Sequence, residues 1–127
     1  MEINDLTHKI IGSAYKVHNA LGPGFLEKVY ENALKFELDR LGIKVQQQGQ
    51  LPVLYENHLV GIFHPDLWIQ EQLIIEIKAV QSLVPEHEAQ LVHYLVATGI
   101  DTGLLINFGS SVQVRRKFRR YVKLRSP

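Results

Sequence analysis

The chain has 127 residues, a formal net charge of +1 and no cysteine. Its length suits a single domain, residues 1–127, that buries a core without disulfides or a structural metal. The lack of cysteine excludes thiolate nucleophiles, Cys-based zinc sites and thiol redox chemistry. Apolar runs are shorter than a membrane span, and the first residues lack the basic and apolar regions of a signal peptide. We therefore expect a cytoplasmic protein with no membrane segment.

Two helices are predicted at the start of the chain. Asn4 or Asp5 can cap the first helix, which stops at Gly22. The second helix begins near residues 25–26 and stops at Gly42. In both helices apolar side chains recur at steps of three and four, as expected for one buried face. They are Leu6, Ile10, Ala14, Val17 and Leu21 in the first helix and Leu26, Tyr30, Ala33, Leu34, Leu38 and Leu41 in the second.

Short strands are predicted after the second helix. Residues 43–48, 52–55 and 58–63 are rich in strand-forming side chains. The Glu56-Asn57 pair is predicted to form a tight turn between the last two strands, since asparagine is common in turns. The segments at residues 52–55 and 58–63 are therefore predicted to form a hairpin.

A second hairpin carries two acids and a lysine. Asp66 opens its first strand, and the apolar run LIIEIK at residues 73–78 forms its second. Because side chains alternate between the two faces of a strand, Glu76 and Lys78 point to the same face. Antiparallel pairing can bring the Asp66 carboxylate beside that of Glu76. For so short a motif, the alternative is an exposed strand face with an ordinary Glu–Lys alternation.

The two carboxylates of this hairpin indicate a metal ion. Neighbouring carboxylates repel each other unless a cation lies between them, and their hard oxygen atoms suit Mg²⁺ or Mn²⁺. Such an ion polarises a phosphoryl oxygen and lowers the pKa of a bound water. The Lys78 ammonium can hold that water and neutralise charge in the transition state. Asp66, Glu76 and Lys78 together therefore predict metal-assisted cleavage of phosphodiester bonds.

A third helix is predicted over residues 85–98. Proline is tolerated in its first turn, and Gly99 follows as a stop. His87, Gln90 and Tyr94 recur at steps of three and four, so they can share one face of this helix. His87 can contact phosphate, transfer a proton or cap the helix. A glutamine on a helix is usually solvated, but its amide can also orient an ammonium or a water.

The end of the chain is predicted to form a buried strand and then a basic one. Residues 103–108, GLLINF, are almost entirely apolar, and positive charges then interleave with Val112, Val114 and Phe118. The basic residues are Arg115, Arg116, Lys117, Arg119 and Arg120. They can contact the phosphates of a nucleic acid, which gives affinity that is largely independent of base sequence. Alternatively they are solvated charges that protect a sheet edge.

Five blocks of the sequence occur in an order that is typical of one protein family. They are GFLEKVY at residues 24–30, the Asp66 strand, EIKAV at 76–80, HEAQ at 87–90 and GLLINF at 103–108. Together they resemble the GxxExxY protein family of the PD-(D/E)XK nuclease superfamily over nearly the whole chain. The resemblance implies an α/β fold of the restriction-endonuclease-like type, with a mixed β-sheet flanked by helices.

The resemblance also implies the residues of an active site. It assigns catalytic positions to Glu27, Asp66, Glu76, Lys78 and Gln90. The carboxylates of Asp66 and Glu76 would bind the metal together with the Ile77 carbonyl. The amide of Gln90 would lie beside Lys78.

Glu27 has two possible roles in the first turn of its helix. An acid there is favoured by the free backbone amides and the helix dipole, so capping is its ordinary role. The resemblance implies instead that Glu27 binds the metal through water or positions the attacking water. Tyr30 is expected to pack on the core and to hydrogen-bond near the site. Gly24 would allow a tight turn into the helix.

One residue departs from the family pattern. Similar sequences usually carry Arg-Ala before the aspartate, whereas this chain has His64-Pro65. Proline lacks a backbone donor and is confined to the starts, edges or bulges of strands. Pro65 can therefore begin the Asp66 strand or aim its carboxylate through a bulge. The alternative is a displaced Asp66 and a weakened site.

Two functions follow from these patterns. The first is a nuclease that requires Mg²⁺ or Mn²⁺ and acts on DNA. The second is a catalytically weak or silent member of the fold that binds nucleic acid or a protein partner. A small core leaves little room for a separate recognition domain, so either version would act as a homo-oligomer or with a protein partner.

Overall fold

A computed structural model describes residues 1–69 and 72–119 and contains the expected mixed sheet flanked by helices. The helices are α1 (Ile3–Leu21), α2 (Glu27–Arg40) and α3 (Pro85–Thr98). The strands are β1 (Gln46–Gln47), β2 (Leu51–Tyr55), β3 (His58–Phe63), β4 (Leu67–Ile69), β5 (Leu73–Lys78), β6 (Thr102–Phe108) and β7 (Val112–Phe118). Five strands form the sheet in the order β1-β4-β5-β6-β7, and β2 and β3 form a separate ribbon.

The strands of the sheet run in both directions. β1 is antiparallel to β4, β4 to β5 and β6 to β7, whereas β5 and β6 are parallel. A parallel pair needs a long crossover connection, and α3 provides it. Every residue of β6 is buried, which matches the near-continuous apolar run of a central strand. The predicted buried strand and third helix are therefore confirmed.

Both faces of the sheet are covered. α1 and α2 pack on the face that contains Ile75, Ile77 and Ile106. α3 and the ribbon pack on the opposite face, which contains Ile74 and Leu105. Because side chains alternate along β5, the positions two and four residues after Ile74 lie on the α3 side of the sheet.

α3 approaches β6 closely because Gly103 has no side chain. A Cβ at this position would lie 3.0 Å from a methyl carbon of Leu91, the helix residue that packs over it. Contacts this short are rare, so a larger residue would push α3 away from the sheet. The glycine therefore helps to set the distance between the crossover helix and the central strand.

The start of the first helix differs from the prediction. α1 begins at Ile3, and the carboxylate of Glu2 accepts a hydrogen bond from the Asn4 amide at 2.8 Å. The predicted caps Asn4 and Asp5 are thus inside the helix, because Glu2 fills a position where shorter side chains are more common.

Three leucines predicted for the buried stripes lie outside the core. Leu21, Leu26 and Leu41 are 37%, 82% and 51% exposed, while the stripe residues between them are largely buried. Leu26 and Leu41 flank α2 rather than belong to it. Helical periodicity does not fix the side-chain direction of residues at or beyond either end of a helix, so the sequence pattern predicts longer buried stripes than the structure has.

The strand predicted for residues 43–48 is reduced to Gln46–Gln47. Gln48 ends it, because its φ of 52° lies in the left-handed region. The predicted turn at Glu56-Asn57 is confirmed, with φ values of 47° and 67°. The turn predicted between β4 and β5 includes residues 70 and 71, which lie outside the described residues. No helix in the described part of the chain is long and apolar enough to cross a membrane.

Asn107 fastens the segment that follows β5. Its side chain is fully buried, accepts a hydrogen bond from the Val80 amide at 2.9 Å and donates one to the Val80 carbonyl at 2.9 Å. It also donates to the Gln113 side chain at 3.1 Å. Asn107 pairs with Lys78 in the β5–β6 register, so these bonds fix the chain two residues beyond that lysine.

We predict that Asn107→Ala destabilises the protein by about 2–4 kcal/mol, because both backbone groups of Val80 lose their partner in a buried place. Urea unfolding monitored by circular dichroism measures this loss. Gln113→Ala is the matched control, since it removes only the third bond and should cost less than about 1.5 kcal/mol. Equal losses in the two variants would contradict the role given to Asn107.

Candidate active site

The hairpin of β4 and β5 brings Asp66 and Glu76 together. The β4–β5 pairing ends at Leu67 and Ile75, so the two acids occupy the next positions at the same end of the hairpin. The Asp66 amide donates a hydrogen bond to Glu76 Oε2 at 2.9 Å, and the Ile77 amide donates one to Asp66 Oδ2 at 2.8 Å. Each carboxylate is therefore held by a backbone amide of the other acid's strand.

Pro65 does not separate these two acids. It is buried in the segment between β3 and β4, immediately before Asp66. His64, its neighbour, makes a 3.0 Å hydrogen bond to the Gly49 carbonyl. Proline here sits ahead of the strand, where its missing amide breaks no ladder bond. The aspartate keeps its contacts with both Glu76 and Ile77.

The two carboxyl groups are shifted toward their protonated forms. Burial, with a further contribution from the Asp66 charge, raises the pKa of Glu76 to about 8. Burial also raises the pKa of Asp66, and the Glu31 charge adds to the rise, while hydrogen bonds from the Ile77 amide and Gln48 oppose it. Removing a carboxylate from water disfavours its charged form, which accounts for the direction of both shifts.

Lys78 is half-buried on the same strand face as Glu76. Its positive charge lowers the pKa of both Asp66 and Glu76, so it lies close enough to act on them. Among the described residues, however, its ammonium forms no hydrogen bond and no ion pair within 4.0 Å. The ammonium is therefore available to another anion.

The oxygen atoms of this pair fit a hard divalent cation. Glu76 Oε1 accepts no hydrogen bond from a described residue, and Asp66 Oδ1 accepts only a long one, at 3.3 Å, from Gln48. The amide and the carbonyl of one residue point to the same edge of a strand, so the Ile77 carbonyl lies on the edge of β5 from which its amide binds Asp66. Within residues 1–69 and 72–119, no three His, Cys, Asp or Glu side chains are grouped to hold a metal. Any such ion would thus depend on two carboxylates and backbone or water oxygens.

Sequence reasoning missed Glu31 as the acid of α2 that lies near the pair. Its side chain is buried, and its charge raises the pKa of both Asp66 and Glu76. It accepts hydrogen bonds from Gln47 at 2.7 Å, from Lys28 at 3.0 Å and from Gln48 at 3.2 Å. The sequence did contain a signal for this role. Glu31 lies three residues before Leu34 and seven before Leu38, which places it on the apolar stripe of α2. An acid at a buried position needs hydrogen-bonding or charged partners.

Glu27 is exposed at the first residue of α2 and makes no hydrogen bond or ion pair with a described residue. Gly24, with a φ of 109°, forms the turn that leads into the helix. The Tyr30 hydroxyl donates to the Gly22 carbonyl at 2.6 Å and accepts from the Phe25 amide at 3.2 Å. Tyr30 is fully buried and thus fixes the turn that carries Glu27.

The structure does not join the predicted residues of α3 to the acids. Gln90 is exposed and forms no hydrogen bond with a described residue, so it is not linked to Lys78. The His87 ring accepts a 3.3 Å hydrogen bond from the Val84 amide, which is the helix-capping role considered above. The Tyr94 ring stacks on Phe63, with centroids 3.7 Å apart, and so links α3 to the segment leading to Asp66.

The basic residues of β7 are engaged within the protein. Lys117 and Arg115 contact Glu88 at 2.9 and 3.8 Å, and Arg119 contacts Asp101 at 2.6 Å. Arg116 donates to Asn4 and Thr7 on α1. β7 is an edge strand of the sheet, where charges of this kind limit pairing with other chains. Arg120, the remaining predicted residue, lies outside the described residues.

Comparison with known proteins gives a family and a fold. The family model for the PD-(D/E)XK nuclease superfamily matches residues 4–121, and nucleases of that superfamily generally use divalent metal ions. The crystal structure of SSO0001 is similar, with a TM-score of 0.57 and 17% identity over 72% of this chain and 48% of that one. At that identity the likeness concerns the fold alone, and this chain spans about half of that protein's length. No curated protein sequence matches the chain.

We predict that the metal-free protein loses stability as the pH rises from about 4.5 to about 8. The pKa of Glu76 is about 8 when folded against an ordinary 4.5, so the folded state binds the extra proton between these values. The stabilisation by this extra proton is complete below a pH of about 4.5 and is lost above a pH of about 8. Urea unfolding in EDTA across this range measures it.

Glu76→Gln should flatten this decline, because the glutamine stays neutral at every pH. Glu56→Gln, at an exposed turn, is the control and should keep the wild-type profile. A Glu76→Gln profile as steep as that of the wild type would show that another group is responsible.

Proposed function

We propose that this chain, which belongs to the PD-(D/E)XK nuclease superfamily, is a Mg²⁺- or Mn²⁺-dependent nuclease that hydrolyses phosphodiester bonds in DNA. One observation carries the proposal: two half-buried carboxyl groups with raised pKa values lie within the electrostatic influence of a lysine ammonium that forms no hydrogen bond or ion pair in the described chain. We further propose that it belongs to the GxxExxY family, which its five sequence blocks support.

Asp66 and Glu76 would hold the metal together with the Ile77 carbonyl. Mg²⁺ and Mn²⁺ prefer carboxylate, carbonyl and water oxygens, which is the donor set available here. When bound, such an ion activates water and stabilises negative charge on the phosphoryl group. Its charge would also favour the ionised form of both acids despite their burial, so binding and ionisation of the two acids would occur together.

The chain's own residues supply orientation and charge for the reaction. The two backbone amides hold the carboxylates in place before substrate arrives, which reduces the reorganisation needed during the reaction. Lys78 would orient the attacking water and stabilise the negative charge that accumulates as the phosphorus–oxygen bond breaks. Glu27 and Gln90 would contribute through water, since both are exposed and neither bonds to the acids.

We propose that DNA phosphates contact β7 and the two residues that follow it in the sequence, through Arg115, Arg116, Lys117, Arg119 and Arg120. The ion pairs of Arg115, Lys117 and Arg119 lie at the surface and involve partly exposed side chains. Exposed pairs of this kind contribute little stability, so phosphate groups can replace the acidic partners. We also propose that binding involves a second copy of the chain or a protein partner, as its small size favours.

A catalytically silent binding module is the second candidate function. A Glu76 pKa of about 8 favours it, because in the absence of metal this acid is mostly protonated at neutral pH. The lack of a third grouped ligand in the described residues also favours weak metal binding. Metal affinity and cleavage therefore need separate measurements.

We predict that Asp66→Asn and Glu76→Gln each lower Mn²⁺ affinity by about a hundredfold or more, since each removes a charged oxygen ligand. Both variants should keep the wild-type fold, because losing one acid relieves repulsion. Isothermal titration calorimetry measures the affinity and circular dichroism the fold. Glu56→Gln is the control for a distant charge, and unchanged affinity in both site variants would refute the assignment.

We predict that Lys78→Ala lowers kcat for DNA cleavage in Mn²⁺ by about a hundredfold, with a much smaller change in DNA affinity. The reason is that the ammonium stabilises charge that develops mainly in the transition state. Lys78→Arg should not restore the rate fully, because a planar guanidinium does not replace a compact ammonium. Cleavage of single- and double-stranded DNA and RNA, with fluorescence anisotropy for binding, provides the measurement.

Lys9→Ala is the matched control for Lys78→Ala, because it removes the same charge from an exposed position on α1. Its cleavage rate should stay within about twofold of wild type, as expected for a surface substitution. If the wild type cuts none of these substrates, or if Lys78→Ala cuts as fast as wild type, the silent binding module becomes the better interpretation.

A further inference from the structure

Two consecutive glutamines at the end of β1 connect α2 to the site. Gln47 donates from its side-chain amide to Glu31 and to Asn32, at 2.7 and 2.5 Å. Gln48 reaches further, because its amide nitrogen lies 3.2 Å from one Glu31 oxygen and 3.3 Å from Asp66 Oδ1. Gln48 is therefore a neutral donor that stands between two carboxylates.

The backbone of Gln48 is fixed on the same aspartate. Its amide donates to the Asp66 carbonyl at 3.1 Å, immediately after the two pairs that join β1 to β4. Its φ of 52° is uncommon for a residue with a side chain and persists only where surrounding contacts hold it. The main chain thus places the side-chain amide of Gln48 beside the Asp66 carboxylate.

Glu31 is suited to anchor Gln48 rather than to bind a metal itself. It is 3% exposed, and Lys28 and Gln47 already donate to it at 3.0 and 2.7 Å. These donors satisfy its charge, so it has less need of a cation than the Asp66–Glu76 pair. Its remaining acceptor capacity holds the amide of Gln48.

We propose that Gln48 is a positioning residue, whose side-chain amide, anchored on Glu31, fixes the Asp66 carboxylate in the orientation that Mg²⁺ or Mn²⁺ binding requires. The Ile77 amide holds Oδ2 of that carboxylate, and the side-chain amide of Gln48 donates to Oδ1. Two donors on different oxygens limit rotation of the carboxylate, as partners behind metal ligands commonly do. This inference rests on the proposed function, because it assigns the metal to Asp66.

Gln48→Gly tests the proposal with little risk to the fold. Glycine adopts a positive φ without steric cost, so the substitution removes the side chain while relieving the backbone. Gln47→Ala is the matched control, because Gln47 bonds to Glu31 and Asn32 but not to Asp66. Gln48→Asn keeps an amide on a shorter side chain and tolerates the same backbone conformation.

We predict that Gln48→Gly lowers Mn²⁺ affinity by about tenfold or more, while Gln47→Ala stays within about threefold of wild type. Gln48→Asn should not restore the affinity, because its shorter side chain cannot span both carboxylates. Calorimetry measures the affinity, and urea unfolding should show no loss of stability in Gln48→Gly. In the metal-free protein, Ile77 amide hydrogen exchange should be faster in Gln48→Gly than in wild type or Gln47→Ala, because its acceptor is less restrained.

Equal Mn²⁺ affinity in wild type and Gln48→Gly, or an equal loss in Gln47→Ala, would overturn the inference and leave the proposed function intact. If wild type itself binds no Mn²⁺, the proposed metal site fails instead. In that case the exchange of the Ile77 amide still decides whether Gln48 orients Asp66: unchanged exchange in Gln48→Gly rejects the orienting role, and faster exchange supports it.

Discussion

The crossed hydrogen bonds that join Asp66 to the Glu76 carboxylate and to the Ile77 amide determine what this site can do. A carboxylate half-buried beside the apolar residues of a central sheet is unfavourable, and a second one beside it adds repulsion. Amides of Asp66 and Ile77 compensate for part of this cost, at 2.9 and 2.8 Å. They do not compensate fully, since burial still raises the pKa of Glu76 to about 8. The remaining electrostatic cost is what a divalent cation would relieve.

The rest of the fold keeps those two acids from moving apart. The parallel pairing of β5 and β6 requires a crossover, and α3 provides it while covering one sheet face. Asn107 fastens the chain beyond Lys78, and the Tyr94–Phe63 stack ties α3 to the segment before Asp66. Conventional packing and buried amide bonds therefore stabilise a site that is itself electrostatically strained. The two acids that would bind a metal therefore lower the stability of the protein when no metal is bound.

The elements of the fold could be predicted wherever periodicity was strong. The apolar runs of β5 and β6 were enough to predict both strands. The alternation of side chains along β5 was enough to predict that Glu76 and Lys78 share one face. The contacts of Glu31 and Gln48 could not be predicted in the same way. They depend on pairing between β1 and β4, residues distant in sequence, and on a left-handed backbone at a glutamine. No local pattern encodes either feature, although an acid on the apolar stripe of α2 was a usable signal.

Glu27 and Gln90 differ from the residues that hold the acids in their hydrogen bonds. Glu27 and Gln90, which the family pattern nominates, are exposed and have no hydrogen-bond partner in the described chain. Glu31 is buried and, with Gln48, is bonded toward the acids. A residue that binds substrate or water must be free before the substrate arrives, whereas a residue that orients a ligand must already be bonded. We therefore propose that Gln48, which is already bonded, orients Asp66, whereas Glu27 and Gln90 face water or substrate.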